Sequence, residues 1–217
     1  MQTIDKHTFE RKLILPKFSI DIIAPAYSRY GELDLFVQSI INQRAYNWRL
    51  HVIHDGFDQG FYNTYSRFNQ DWYRIRFSNT QKRFNDYGHT LRDVGIRHSK
   101  GNYILVTNAD NYYIPNFLAY INSTIERYSP DIIIFDMIHS HQDPGSRHQL
   151  SHCFFPTNYS FENIDIGAAV VKGSIARKVG FNGRHFAADW QYFNDLQKAL
   201  GPKPLIVKIP RIFLVHN

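Results

Sequence analysis

The run GHTLRDVGIRHSKGNYILVTNAD, residues 88–110, decides the fold, because it reads as a helix, a turn and a strand that stops on a polar tip. A helix is expected across about Gly88 to His98, Lys100-Gly101-Asn102 is a turn signal, and Tyr103 to Thr107 is a short buried strand. Upstream, SIDIIA from Ser19 is a β-branched strand broken by Pro25. Leu33, Phe36, Val37, Ile40 and Ile41 then form one helical stripe at i, i+3, i+4, i+7 and i+8. Leu50 to His54, ended by Asp55-Gly56, and Arg74 to Phe77 are two further strands.

Downstream, Pro115 suits a first helical position, with Phe117, Leu118, Ile121 and Ile125 as the buried face. The strand DIIIFDMIH follows at residues 131–139. Strand alternating with helix from residue 19 to 138 predicts an α/β fold with a mostly parallel central sheet and helices on both faces. Beyond Ile138 the polar, histidine-rich HSHQDPGSRHQLSHCFFPTNYS interrupts the pattern. Ile166 to Val171 is an expected strand, Asp189 to Leu200 a short helix, and Leu205 to Ile209 with Ile212 to Val215 two closing strands. Residues 1–18 are read as a leader, and 19–217 as a single domain.

The chain has 217 residues, enough for one domain with a sizeable core. Hydrophobic residues at 43% and charged ones at 20% exclude a disordered or collagen-like chain. The 25 Lys+Arg exceed the 19 Asp+Glu, and the resulting +6 favours an anionic partner. The basic residues are scattered along the sequence, so nucleic acid is not the expected partner. A single cysteine, Cys153, forms no internal disulfide, and no CxxC pair offers a structural zinc site. The N-terminus mixes charge into every few residues and no apolar run reaches membrane-spanning length, which leads to the expectation of a cytoplasmic chain without a membrane span.

In open parallel α/β sheets, ligands bind beyond the carboxyl ends of the strands. Three such ends carry Pro25-Ala26-Tyr27-Ser28-Arg29, Asp55-Gly56-Phe57-Asp58 and Asn108-Ala109-Asp110-Asn111. Neither GxGxxG nor GxxxxGK[ST] occurs, so a phosphate held here must be neutralised by a metal ion or by Arg and Lys. Read alone, Asn108, Asp110 and Asn111 serve equally well as turn and cap residues.

The tract from Gly88 to Asp110, with the ordered elements from Ser19 to Asn217, resembles the GT-A (Rossmann-like) nucleotide-sugar glycosyltransferases of the large inverting family two. The resemblance implies transfer of a hexose from a UDP-sugar donor to an acceptor hydroxyl, with UDP-glucose as first choice and UDP-galactose as second. The donor would lie against Pro25, Tyr27, Arg29, Asp55, Arg92, Asn108, Ala109 and Asp110. Tyr27 would pack on the uracil face, Asp55 would accept from the base imide, and Arg92 would sit near the pyrophosphate. Asp110 and the late His216 would hold Mn²⁺ or Mg²⁺, as a borderline cation accepts imidazole beside oxygen ligands. Asp189 is the implied base.

Two departures stand out: Asn108 replaces the first Asp of the family's DxD motif, and Ala188 replaces the Glu that usually precedes the base. They leave open a second reading, a UDP-sugar-binding protein with little transfer activity. Bland roles also exist for each position: a solvent-facing Asp-Gly turn, an exposed helix arginine, an N-cap at Asp189 and a frayed tail at His216. His139, His141, His148 and His152 read as an acceptor-side lid rather than a zinc site, because neither a Cys pair nor HExxH accompanies them.

Overall fold

Alternation along each strand sorts the core into two faces. In the computed structural model, which describes residues 18–67, 73–139, 152–185 and 187–216, Ile22 and Ala24 point into one buried cluster while Ile23 points into another. The elements in chain order are β1 (Ile20–Ala26), α1 (Tyr30–Ile41), β2 (Trp48–His54), α2 (Gln59–Arg67), β3 (Ile75–Asn79), α3 (His89–His98), β4 (Tyr103–Val106) and β5 (Tyr112–Tyr113). They continue with α4 (Phe117–Tyr128), β6 (Ile132–His139), β7 (Cys153–Phe155), a 3₁₀ turn (Ile166–Ala168), β8 (Ala169–Lys172), α5 (Gly173–Val179), α6 (Ala188–Leu200) and β9 (Ile206–Val215).

One sheet holds the nine strands of the described residues, in the order β3-β2-β1-β4-β8-β6-β9-β5, with β7 beside the end of β6. Strands β3, β2, β1, β4, β6 and β9 share one direction, and β8, β5 and β7 oppose it. Helices α1 and α4 cover one face through Leu33, Phe36, Val37, Phe117, Leu118 and Ile121. Helices α3, α5 and α6 cover the other through Leu91, Ile96, Ala176, Tyr192 and Phe193. This is the mostly parallel α/β sheet, sheathed on both sides, that the alternation of elements predicts.

Close contact between α3 and β1 explains why the opening tract is glycine-bearing. A Cβ on Gly95 would collide with the Ile23 side chain. Gly88 has φ +79, a conformation L side chains rarely adopt, and a Cβ there would come within 2.7 Å of Pro25.

Local expectations shift in four places. β1 continues through Pro25 to Ala26, because proline at the end of a strand sacrifices little pairing. α4 starts at Phe117 with Asn116 at the N-cap position, two residues later than Pro115 suggests. The expected closing pair is one strand, β9, with a bulge where Phe135 pairs Ile209 and Asp136 pairs Ile212. The expected strand from Ile166 begins as a 3₁₀ turn, capped by the Asp165 carboxylate accepting from Gly167 N–H at 2.7 Å. The leader at residues 1–17 and most of the histidine-rich lid, His141 and His148 included, lie outside the described residues. No described helix is long and apolar enough to cross a membrane.

Candidate active site

A cleft of about 380 Å³ opens beyond the carboxyl ends of β1, β2 and β4. Pro25, Tyr27, Arg29, Asp55, Asn108, Ala109 and Asp110 all line it, so three separate strand ends converge on one space. Ser28, Arg83, Asn85, Tyr87 and Leu91 complete much of the wall.

Tyr27 is 48% exposed at the mouth. One face of its ring carries the Arg83 guanidinium, 3.5 Å from the centroid, and Arg83 Nη1 donates to the Tyr27 hydroxyl at 2.8 Å. A ring that stacks a planar cation is equally able to stack a base. Asp55 is buried, which removes the solvent-facing turn as its role. Its carboxylate accepts from the backbone N–H of Phe84 at 2.7 Å and of Asn85 at 2.9 Å. The neighbouring Gly56 supplies the positive φ that the Asp-Gly turn requires.

Arg92 is buried rather than displayed on the surface of α3. It donates from Nη1 to the Tyr87 carbonyl at 3.0 Å and from Nη2 to Asn108 Oδ1 at 2.6 Å. Asn108 therefore meets a guanidinium where the usual aspartate would form a buried ion pair. Arg29 Nη1 donates to Asp110 Oδ2 at 2.6 Å. The other oxygen, Asp110 Oδ1, is buried and has no hydrogen-bond partner. Burial raises the Asp110 pKa, against the opposing charges of Arg29 and His216.

His216 is anchored. Its backbone N–H donates to Ile138 O at 2.8 Å, and its ring stacks on His139 at 4.2 Å. Nε2 faces Asp165 Oδ2 at 3.6 Å, and Nδ1 is buried without a partner. His139 is thus a buried residue of β6, apart from any exposed loop. Asp189 lies in the first turn of α6, where Ala187 is the N-cap residue. Burial pushes its pKa up from 3.8 to about 6; Arg92 pulls it down, Asp165 pushes it up, and His216 and the Ile166 N–H pull it down. Neither Asp189 nor His216 lines the cleft itself; both belong to a second cluster around Asp165.

The sequence matches the family described as glycosyl transferase family 2 over residues 21–184. The chain belongs to that family. No curated protein sequence matches it. Among solved structures, S. aureus TarS 1-349 in complex with UDP superposes with a TM-score of 0.72 at 12% identity, covering 91% of this chain and 60% of that one. The same protein in complex with UDP-GlcNAc gives 0.74 at 12% identity, over 91% and 58%. Mannosyltransferase PcManGT from Pyrobaculum calidifontis, in complex with GDP-Man and Mn²⁺, gives 0.66 at 12% identity, over 93% and 58%. At this identity the likeness establishes the GT-A architecture. The family 2 chain spans about 60% of the length of the TarS 1-349 structures.

Two residues of this family 2 chain escaped the sequence reading. Arg83 follows β3, a fourth carboxyl end in the same row, and that position was the available signal. Asp165 sits in an irregular stretch, and only the fold brings it to His216 and Asp189. The arginines that look scattered in sequence are partly gathered here, with Arg29 and Arg83 lining the cleft and Arg92 buried behind it on Asn108.

Proposed function

We propose that the chain is an inverting glycosyltransferase that moves a hexose, with glucose before galactose, from a UDP-sugar to an acceptor hydroxyl in a metal-dependent reaction. The single observation that carries this reading is the convergence of Tyr27, Asp55, Asn108 and Asp110 on one cleft lined by Arg29 and Arg83. Uracil would displace Arg83 from Tyr27 and donate its imide N–H to Asp55, whose two oxygens have capacity beyond the amides of Phe84 and Asn85. Arg29 and Arg83, freed by the ligand, would hold the diphosphate oxygens.

Among the described residues, no group of three or more His, Cys, Asp or Glu side chains is arranged to hold a metal ion. The fit is instead to a cation that shares its shell with the donor. Asp110 Oδ1 and His216 Nδ1 are buried, unpartnered, and of the oxygen and imidazole types that suit Mn²⁺. When bound, such a cation stabilises negative charge on the leaving diphosphate.

In the reaction, Asp189 accepts the acceptor's hydroxyl proton while that oxygen forms the new bond to the sugar's anomeric carbon. The bond from that carbon to the diphosphate oxygen breaks on the opposite side, and its electron pair leaves with UDP. A carboxylate with a pKa of about 6 is charged at neutral pH yet basic enough to take a proton in the transition state.

Thermal shift with UDP-glucose, UDP-galactose, UDP-GlcNAc and GDP-mannose, with and without Mn²⁺, tests the donor and the metal together. A metal-enhanced rise with uridine donors is expected; no rise with any uridine compound would defeat the reading. The second reading, donor binding without turnover, draws on Ala188, which is fully buried beside Gly183 and carries no carboxylate where the family usually has Glu. Tight UDP binding with neither hydrolysis nor transfer would favour it.

A further inference from the structure

We propose that Arg29 is a displaceable counter-ion for Asp110, which makes occupation of that carboxylate by a divalent cation conditional on a diphosphate in the cleft. The inference rests on the donor reading above and assigns it an order of events. Arg29 Nη1 holds Asp110 Oδ2 at 2.6 Å, so half of the proposed cation ligand is occupied by a fixed positive charge. A dication arriving alone must either share the carboxylate with a guanidinium, against like-charge repulsion, or expel it. The other oxygen, Asp110 Oδ1, is buried and has no hydrogen-bond partner, so it is the atom a cation would reach first.

Arg29 is free to leave. Its side chain is 46% exposed and lines the cleft. Its remaining contact is with one exposed carboxylate, Glu32, at 3.2 Å from both Nε and Nη2. Arg29 and Ser28 both have left-handed backbones, with φ of 54 and 52, a region sparsely populated by such residues. A diphosphate offers the planar guanidinium fork several anionic phosphoryl oxygens to bind bidentately on the same wall, better than a shared carboxylate. Once Arg29 turns to the phosphate, both oxygens of Asp110 face the cation. By linkage, the cation must in turn tighten the diphosphate.

The test measures Mn²⁺ binding by electron paramagnetic resonance at pH 8, in nucleotide-free protein, for wild type, Arg29→Met and Arg29→Lys. The expected result is Mn²⁺ affinity without nucleotide about tenfold or more tighter in Arg29→Met, within the usual range of coupling between sites. Arg29→Lys, which keeps the charge, stays near wild type. Adding Asp110→Asn to Arg29→Met abolishes the gain. Unchanged or weaker Mn²⁺ binding by Arg29→Met, with its melting temperature preserved, overturns the proposal. So does an absence of Mn²⁺ binding in every protein even with UDP. Metal-free UDP binding is measured in parallel: if wild type binds UDP while Arg29→Met gains nothing, the donor reading stands and the counter-ion role falls. If wild type fails to bind UDP, the donor reading itself has failed.

Discussion

Replacing Asp189 by Asn should raise the stability of the fold while removing its activity. The Asp189 carboxyl has a pKa of about 6 in the folded chain against an ordinary 3.8. The native state therefore binds the proton more tightly than the unfolded chain does. Stability is fully present below the unfolded value and is lost as pH rises through about 6, so the charged carboxylate burdens the fold at neutral pH. Roughly two pH units correspond to about 3 kcal/mol as a ceiling. Partial exposure, and the favourable position of a negative charge in the first turn of α6, reduce that to about 1–2 kcal/mol.

For a chain of this size, such a gain amounts to roughly 2–8 °C in Tm. The assay is Tm of wild type and Asp189→Asn at pH 4 and pH 8, beside UDP release with a working acceptor. The variant should melt higher at pH 8 and equal wild type near pH 4, and turnover should drop by about 10²–10⁴-fold. A lower Tm at pH 8 would mean that the carboxylate serves the helix start, and full turnover would mean that another group takes the proton. Wild-type kcat/KM should rise with pH along a limb centred near 6 in the free enzyme.

Tyr27→Ala should weaken UDP by about 1–2 kcal/mol, read by calorimetry, with little change in Tm because the ring is half exposed. Asn108→Asp adds a carboxylate 2.6 Å from Arg92, and it should tighten Mn²⁺ in the presence of UDP; unchanged affinity would place residue 108 outside the cation's reach. Gly88→Ala should cost about 1 kcal/mol or more, measured by urea unfolding, since the left-handed backbone and the Pro25 ring both oppose a Cβ.

The sheet and its two helical layers were legible because alternation and 3.6-residue stripes are local, and Ile22, Leu33 and Leu118 report their burial through near neighbours. The turn chemistry at Asp55-Gly56 and the glycine tract of α3 were legible for the same reason. Asp165, Arg83 and the true setting of Arg92 were not. Each is defined by a partner far along the chain: Asp165 by His216, Arg83 by Tyr27, and Arg92 by Asn108 across the α3–β4 turn. α2 was missed because its apolar positions are few and its sequence, QGFYNTYSR, carries glycine and aromatic residues that read as loop. The closing bulge in β9 escaped because Pro210-Arg211 looks like a break between strands when pairing cannot be seen.

The two sides of the cleft are fastened very differently. Behind Asp110, Asn111 donates to Thr107 Oγ1 at 3.0 Å, and the Tyr113 hydroxyl lies 2.8 Å from both Thr107 Oγ1 and the Gly167 carbonyl, all of it buried. Across from it, Phe84 and Asn85 are tied down chiefly by the single Asp55 carboxylate. On the proposed donor reading, editing the short tether at residues 83–85 would retune which heterocycle the cleft prefers, while the buried network behind Asp110 stays insulated from such edits.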